Sequence, residues 1–225
     1  MVYFKNVSKA YNGSLILDNV SFKIEPGEFV SLVGRSGVGK TTLLKMLIKE
    51  EAPTKGRIFF NEKDINKIKP TEVTLLRRKI GMVFQDFKLL TQKTAYENVA
   101  FAMEVAGYPE NMIKKDAPEL LKLVNLESRA NNFPFQLSAG EKQRVVIARV
   151  LAQRPELILA DEPTGDLDPI NTWEIIKLIT KINELGTAII LATHNKEVIN
   201  TLNKRVISID SGKIIRDEEE GRYLI

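Results

Sequence analysis

The pattern of apolar and polar positions divides the chain into short strand-like segments and longer helical ones. In the first quarter, YFKNV, VSFKI and FVSLVG are alternating or apolar and are separated by the turns YNGS and EPGE, so they predict β-strands. A helix is predicted at KTTLLKMLIKE, and two further strands are predicted at GRIFF and IGMVFQ. The chain therefore begins as a β-rich unit that gives way to a strand–helix pattern.

From Lys88 to about Arg154 strand patterns are replaced by helical ones, at AYENVAFAMEVAG, APELLKLVNL and GEKQRVVIARVLAQR. Strand and helix then alternate through ELILADE, INTWEIIKLITKINELG, TAIILATH, a short helix and a closing pair at VISIDSGKII. Such alternation predicts an α/β fold with a parallel sheet and helices on both faces. We therefore expect the middle helical stretch to be an insertion into the sheet.

Composition limits the function classes without selecting one. The 225 residues are 44% hydrophobic and 28% charged, which is ordinary for a folded globular protein. Without cysteine the chain has no disulfides and no thiolate metal site. It has no secretory signal pattern and no run of about 20 apolar residues. We expect a cytoplasmic protein that reaches any membrane through a partner, and the net charge of +4 leaves phosphorylated ligands and nucleic acid open.

A glycine-rich loop between a predicted strand and a predicted helix carries the clearest chemistry. GRSGVGKT fits G-x-x-x-x-G-K-[ST], in which glycines let the backbone wrap phosphate oxygens, the lysine contacts the β- and γ-phosphates and the hydroxyl binds Mg²⁺. The alternative is a glycine-rich turn that merely joins the strand to the helix. All fixed positions of the motif and its strand–helix context are present, so we favour nucleotide binding. The residues expected to contact the nucleotide here are Gly34, Arg35, Ser36, Gly37, Val38, Gly39, Lys40, Thr41 and Thr42.

Two adjacent acids end the apolar strand LILAD. Asp161 can hold Mg²⁺, and Glu162 can orient or deprotonate the attacking water. Acids at strand ends often serve only to solvate a loop. Together with the phosphate loop, however, they supply the metal and the positioned water that phosphoryl transfer requires.

Three further residues lie where predicted strands end. His194 follows TAIILAT, and its placement favours a contact with the γ-phosphate over a merely solvated histidine. Gln85 would reach the same edge of the sheet, where an amide can bind Mg²⁺ or water, although by itself it reads as a surface residue. Tyr11 can stack on adenine or cover the core, and the spacing does not decide between them.

A second candidate phosphate site is the segment QLSAGEKQR. Small residues precede a helical run there, so the helix would start at a serine cap with exposed backbone N–H groups that suit an anion. One domain of this size has no evident need for two phosphate sites.

With these pieces in order, the chain resembles the nucleotide-binding subunit of ATP-binding cassette (ABC) transporters from end to end. The resemblance rests on the phosphate loop, the Gln85 loop, LSAGEKQR, LILADEPTGDLD and ATH in the family's order and spacing. It implies one domain over residues 1–225, with a phosphate-loop NTPase (RecA-like) core and an antiparallel β subdomain in 1–87 and 155–225. Residues 88–154 would form the inserted helical subdomain.

The resemblance also explains the second phosphate site. Two such domains face each other head to tail, and the turn of one caps the γ-phosphate held by Lys40 of the other, so that ATP bridges a homodimer. The residues implied to contact the partner's nucleotide are Ser138, Ala139, Gly140 and Glu141.

The family's roles transfer residue by residue. The resemblance implies ATP and Mg²⁺ as ligands and ATP hydrolysis as the reaction. It implies that Tyr11 stacks on adenine, Thr41, Gln85 and Asp161 hold Mg²⁺, Glu162 is the general base, Gln85 and His194 sense the γ-phosphate, and Asp168 communicates across the dimer.

Two positions depart from the family pattern. Ala139 replaces a usual glycine, and we expect it to be tolerated if its φ stays negative. Asn195 stands where an acid is usual, which should weaken one polar contact and leave His194 in place.

Within the family, RRKIGMVFQDFKLL, NFPFQLSAGEKQR and DEPTGDLD look most like the cell-division branch. Members of that branch pair with a membrane protein and regulate peptidoglycan hydrolases outside the membrane. Lipoprotein-release and macrolide-export ATPases share much of the sequence of these segments and stay open as alternatives. Only the positive net charge keeps open a soluble ATPase that acts on nucleic acid. A small-molecule kinase is a third alternative, but it would have no use for LSAGEKQR.

Overall fold

The computed structural model describes residues 1–223, and within that range no helix has the length and apolar character needed to cross a membrane. The strands are β1 (Val2–Tyr11), β2 (Ser14–Ile24), β3 (Phe29–Val33), β4 (Lys55–Phe60), β5 (Lys63–Asp64), β6 (Ile80–Val83), β7 (Leu157–Asp161), β8 (Ala188–Ala192), β9 (Arg205–Asp210) and β10 (Lys213–Glu218). The helices are α1 (Lys40–Leu47), α2 (Pro70–Lys79), α3 (Ala95–Ala106), α4 (Glu110–Leu123), α5 (Ala139–Leu151), α6 (Pro169–Glu184) and α7 (Lys196–Leu202).

The larger sheet has the strand order β10-β9-β3-β8-β7-β6 and is parallel except for the edge strand β10. Its central strands β3, β7 and β8 are buried along almost their whole length, as expected for strands covered on both faces. Leu32 and Asp161 both pair with Ala192, so the loops that follow these three strands leave the sheet at one edge. That edge is where α/β sheets bind ligands.

The smaller sheet is antiparallel, with the order β2-β1-β4-β5. A two-residue turn joins β1 to β2, and Asn12 and Gly13 there have φ of 48° and 83°, as a tight hairpin turn requires. Both strands are longer than the sequence pattern predicts. Register shifts along the β1–β2 pair explain the difference, because each bulge interrupts the strict alternation without ending the strand.

Side chains on alternate positions of the parallel strands enter two separate cores. In β7, Leu157 and Leu159 join the core that contains α1 and the small sheet, whereas Ile158 and Ala160 join the core built by α3 to α6. The expected parallel sheet with helices on both faces, and the antiparallel β subdomain, are therefore confirmed.

The helices α3, α4 and α5 lie between β6 and β7 in sequence, and these two strands are neighbours in the sheet. The helical stretch is thus inserted within the sheet, as the sequence predicts. We keep residues 88–154 as a proposed helical subdomain and 1–87 with 155–225 as the proposed core. The last two residues of that range lie outside the described residues.

The helix α2 is not predicted by the apolar pattern, because only Leu76 of its ten residues is buried. Local interactions start it instead. Pro70 occupies the first turn, and the Glu72 carboxylate accepts a hydrogen bond from the Lys69 N–H at 3.0 Å. Such a helix lies on the surface and leaves little periodic signal.

Candidate functional site

The glycine-rich loop connects the buried strand β3 to α1. Gly39 has φ of 107°, and a Cβ there would lie 2.7 Å from Leu17 Cδ2, so only glycine fits. Gly39 also caps α1 and has no side chain with which to satisfy the first-turn N–H groups. These groups are left for an anion at the positive end of the helix.

Lys40 is the first residue of α1, and its side chain folds back into the loop. The ammonium group donates hydrogen bonds to Gly34 O at 2.8 Å and Arg35 O at 3.2 Å. Burial lowers the pKa of Lys40, and the nearby charges of Glu162 and Asp161 partly offset this. The loop thus holds a nearly buried cation at its centre.

Thr41 and Asp161 meet at the carboxyl edge of the sheet. The Thr41 hydroxyl donates to Asp161 Oδ1 at 3.1 Å, and burial raises the pKa of the Asp161 carboxyl. A hydroxyl and a carboxylate side by side are oxygen donors of the kind that Mg²⁺ prefers, and a divalent cation would offset the cost of burying the carboxylate. The donor set fits Mg²⁺.

Glu162 and His194 form a pair at the ends of β7 and β8. His194 Nδ1 lies 2.8 Å from Glu162 Oε1, and the Glu162 side chain is 18% exposed whereas that of His194 is 66% exposed. Glu162 has a φ of 47°, a strained conformation for a residue with a side chain. Its N–H donates to Ala192 O at 2.8 Å, which fixes this geometry. The predicted general base, Glu162, and one of the two residues predicted to sense the γ-phosphate, His194, are therefore in direct contact.

Gln85 does not join the Thr41–Asp161 pair. Its amide N–H group donates to the two Asp166 carboxylate oxygens, at 3.3 and 3.4 Å, just beyond β7. Tyr11 lies at the end of β1 and is 39% exposed, with Lys9 Nζ 4.5 Å from its ring centroid on one face. It lies on the surface rather than covering the core.

The Ser138 turn starts α5 as the sequence predicts. Ser138 is the N-cap, its Oγ accepts from Glu141 N at 3.2 Å, and the Glu141 carboxylate accepts from Ser138 N at 2.8 Å. Arg129 Nε also donates to Glu141, at 3.1 Å. The structure therefore engages the Glu141 carboxylate in capping. Ala139 lies in the helix and is not among the residues with positive φ, so the condition for tolerating its methyl group holds.

Replacing Glu141 by Ala should lower the free energy of unfolding by about 1 kcal/mol, the usual cost of losing a helix cap. Hydrogen bonds from Ser138, foremost its backbone N–H, lower the pKa of Glu141. A lowered carboxyl pKa means that this stabilisation is present above the unfolded-state pKa and is lost as the pH falls through the folded-state pKa. Urea denaturation of the variant and the natural chain at neutral and acidic pH measures both effects.

The matched control is Glu104→Ala, which removes an exposed carboxylate from α3. An equal loss of stability in this control, or a difference for Glu141→Ala that persists unchanged at acidic pH, would contradict the capping role.

Two residues of α5 that the sequence reasoning missed tie this helix to the Gln85 segment. Gln143 is fully buried, and its amide N–H group donates to Phe84 O at 3.5 Å. Arg149 donates to Lys88 O at 2.6 Å, and burial lowers its pKa. Their signal is the placement of polar side chains on the apolar face of a helix, which is unusual unless hydrogen-bond partners are within reach. The Gln143 amide oxygen has no such partner among the described residues.

Two candidate residues cap helices. The Asp168 carboxylate accepts from the backbone N–H groups of Ile170 and Asn171 at the start of α6. Asn195 Oδ1 accepts from Val198 N at 3.2 Å at the start of α7. Asn195 therefore makes the capping contact that an acid at this position would make.

Residues 17–165 match the model of the family described as ABC transporter. The protein from Bacillus subtilis (strain 168) named cell division ATP-binding protein FtsE is 54% identical over 224 residues, which cover 99% of this chain and 98% of that relative. The protein of the same name from Mycobacterium tuberculosis (strain ATCC 25618 / H37Rv) is 44% identical over 225 residues, covering 99% and 98%.

A solved structure of similar fold is the dimeric post-hydrolysis state of the ATP-binding cassette MJ0796 bound to ADP and Pi. It superimposes with a TM-score of 0.88 at 38% identity, covering 99% of this chain and 100% of that one. The phosphate loop, the paired acids and the inserted helices are thus set in the fold of an ATP-binding cassette. The chain belongs to the ABC transporter family and is an ATPase of that family.

Proposed function

We propose that the chain is the ATP-hydrolysing subunit of a cell-division complex, in which it acts on an FtsX-like membrane protein and thereby controls peptidoglycan hydrolases outside the membrane. One observation carries this proposal. The relative named cell division ATP-binding protein FtsE is 54% identical across nearly the whole of both chains, so the likeness extends beyond the motifs common to all ABC ATPases. The chain would lie on the cytoplasmic side of the membrane, held there by its partner.

In this proposal each ATP lies between two copies of the chain. Lys40 of one copy neutralises the β- and γ-phosphates, and the Ser138–Gly140 turn of the other presents a helix N-terminus to the γ-phosphate. The exposure of Ser138 supports this, as does the dimeric state of the similar cassette bound to ADP and Pi. Tyr11 would stack on the adenine with the ring face opposite Lys9.

For hydrolysis, we assign Glu162 as the base. Water attacks the γ-phosphorus, the bond to the β–γ bridging oxygen breaks, ADP leaves, and the water proton passes to the Glu162 carboxylate. The 2.8 Å contact with His194 would hold this carboxylate in place, and His194 would contact the γ-phosphate. Lys40 would stabilise the charge on the transferred group.

Thr41 and Asp161 would hold Mg²⁺, which when bound would supply positive charge to offset the negative charge of the phosphates. Their 3.1 Å contact and the buried carboxylate support this assignment. Gln85 would join the metal only after leaving Asp166. The contact of Gln85 with Asp166 suits a residue that reports on the γ-phosphate, because the Gln85 side chain can exchange Asp166 for the metal.

A groove beside the Gln85 segment is the proposed seat of the membrane partner. It has a volume of about 480 Å³, and three of the exposed apolar side chains on its walls are Leu90, Phe101 and Val105. Phe101 and Val105 are one helical turn apart on α3, and the arginines Arg77 and Arg149 outnumber the one acid on the walls, Glu50. An amphipathic cytoplasmic helix with an apolar face and acidic flanks would fit this groove.

Hydrogen bonds connect the floor of this groove to the residues proposed to contact the nucleotide. Phe84, which lines it, precedes Gln85 and accepts the hydrogen bond from Gln143 of α5. Arg149 binds the carbonyl groups of Phe87 and Lys88 on the same segment. A helix seated in the groove would therefore move together with Gln85 and with the helix that begins at Ser138.

The test is copurification from membranes with a Phe101→Glu/Val105→Glu variant. Charges placed in an apolar contact should lower recovery of the partner by more than about tenfold, while the ATPase rate of the isolated chain stays unchanged. The control is Leu185→Glu, which places the same charge on a leucine that is more exposed than Phe101 or Val105 and lies beyond the end of α6. Mass spectrometry identifies the partner.

Recovery of an FtsX-like protein with four membrane spans supports the proposal. A lipoprotein exporter or a drug pump in its place would move the chain to another branch of the family. Undiminished recovery with the groove variant would contradict the groove, and salt-sensitive binding of RNA or DNA with no membrane partner would contradict the proposal as a whole.

A further inference from the structure

The start of α5 is packed against the start of α6 where Gly140 meets Asn171. Gly140, the second residue of α5, is buried. A Cβ built on Gly140 would overlap Asn171 Oδ1 and would lie 2.5 Å from Asn171 Cγ and 3.0 Å from Asn171 Cβ. The whole Asn171 side chain, and not only its tip, therefore fills the space that any larger residue at position 140 would need.

The same side chain is hydrogen-bonded to Asp168. The Asn171 amide N–H group donates to Asp168 Oδ2, and the Asn171 backbone N–H donates to Asp168 Oδ1 at 3.1 Å. The side-chain bond is the leading cause of the lowered pKa of Asp168. One residue thus contacts Gly140 on one side and fixes the Asp168 carboxylate on the other.

A second contact keeps the two helices together around Asn171. Arg144 of α5 forms an ion pair with Glu174 of α6 at 2.8 Å, and its Nη1 lies 3.5 Å from Asn171 Oδ1. The Arg144 side chain is only 14% exposed. The helices are therefore held at this point by a partly buried ionic contact.

The two segments that meet at Asn171 would face different nucleotides in the proposed dimer. Gly140 ends the turn that would face the partner's ATP. Asp168 ends the segment that begins at Glu162 and includes Asp166, which binds Gln85, and this segment would face the chain's own ATP. A shift of either segment must be accommodated by the Asn171 side chain.

We propose that Asn171 is a positioning residue that couples the two nucleotide sites through one chain, by fixing the Asp168 segment to the buried face of Gly140. This inference rests on the proposed two-chain site. Position 140 then has to be a glycine, because any side chain there would collide with Asn171. Occupancy of one site is passed to the other by a packed, hydrogen-bonded contact.

Asn171→Asp tests the hydrogen bond. Aspartate keeps the shape and suits the first turn of a helix, but it cannot donate to Asp168 and repels it. We expect the Hill coefficient for ATP in steady-state hydrolysis to fall from near two toward one, because two coupled sites become independent. Lys177→Ala, which truncates an exposed side chain six residues further along α6, should leave it unchanged.

Gly140→Ala tests the packing. The added methyl group collides with Asn171, so we expect the hydrolysis rate to fall by more than about tenfold, as displacement of a positioned group does. Adding Asn171→Ala removes Oδ1 and Cγ, the two atoms nearest to the new methyl group, and leaves only Cβ, at 3.0 Å. A shift of a few tenths of an ångström relieves that contact, so the rate should return to that of Asn171→Ala alone. Adding Asn171→Asp should not, because aspartate is as large as asparagine.

A Gly140→Ala chain that stays inactive after Asn171→Ala would overturn the packing account, and a natural Hill coefficient in Asn171→Asp would overturn the coupling. Failure of the two-chain site is distinguishable, since it would appear as a Hill coefficient of one in the natural chain. Thermal unfolding of each variant shows whether a lost rate reflects a lost fold.

Discussion

Replacing Glu162 by Gln is expected to slow ATP hydrolysis by about 10²–10⁴-fold and to leave ATP binding intact. The amide has the size of the carboxylate and keeps a polar contact for His194 across the observed 2.8 Å. It cannot accept a proton from water at neutral pH. Since ATP then persists between the two copies, the variant should also accumulate as an ATP-bound dimer. Phosphate release, equilibrium binding of ATP and size-exclusion chromatography measure the three effects.

The control for this result is Glu184→Gln, which neutralises an exposed carboxylate at the end of α6. Its hydrolysis rate should equal that of the natural chain. Natural turnover in Glu162→Gln would remove Glu162 from the role of base. A loss of ATP binding along with turnover would mean that the carboxylate acts in binding rather than in the chemical step.

Two inactive variants, Lys40→Ala and Ser138→Arg, should restore hydrolysis when their chains are mixed. In the proposed dimer one site combines Lys40 of the first chain with Ser138 of the second. A mixed dimer of these variants therefore contains one site with both changes and one site with neither. With half of the dimers mixed and one of two sites intact, the recovered rate can reach at most about a quarter of the natural rate, and coupling between the sites would lower it further. Phosphate release before and after mixing is the measurement.

A mixture of Lys40→Ala with Glu162→Gln is the matched control. These residues belong to the same side of each site, as the influence of Glu162 on the Lys40 pKa shows for a single chain. Every site in that mixed dimer therefore keeps one change, and no rate should return. Tagged chains establish that mixed dimers form. If they form and the first mixture stays inactive, each nucleotide is hydrolysed within one chain and the two-copy site is wrong.

The sequence predicted the large sheet well because its strands are buried on both faces. Uninterrupted apolar runs such as those of β7 and β8 have few alternatives to a buried parallel strand. A polar residue closes each run, since β7 ends at Asp161 and Thr193 follows β8. It did not predict α2, whose stability comes from Pro70 and Glu72 rather than from an apolar face. Periodicity detects burial, and it misses a helix that buries only one side chain.

Motif spacing placed Thr41 with Asp161 and Glu162 with His194, because neighbouring parallel strands bring their carboxyl ends together. The spacing also placed Gln85 at this edge, but it did not predict that Gln85 would bind Asp166. Asp166 lies in a loop, and the apolar pattern of the sequence does not specify the path of a loop. The Glu141 carboxylate was expected near a nucleotide, yet a capping interaction with Ser138 and a pair with Arg129 engage it. Hydrogen-bond partners of polar side chains in turns depend on the final backbone.

The sequence by itself determined the fold class, the ATPase family and the residues able to bind phosphate, because apolar patterning and glycine, lysine and acid spacing are local properties of the chain. Only the tertiary structure decided that the Asn171 side chain occupies the space beside Gly140 and that the Gln143 side chain contacts the Phe84 carbonyl group. These contacts join residues 31 and 59 positions apart. Close packing between helices sets them, and it is specified by the shapes of both surfaces together.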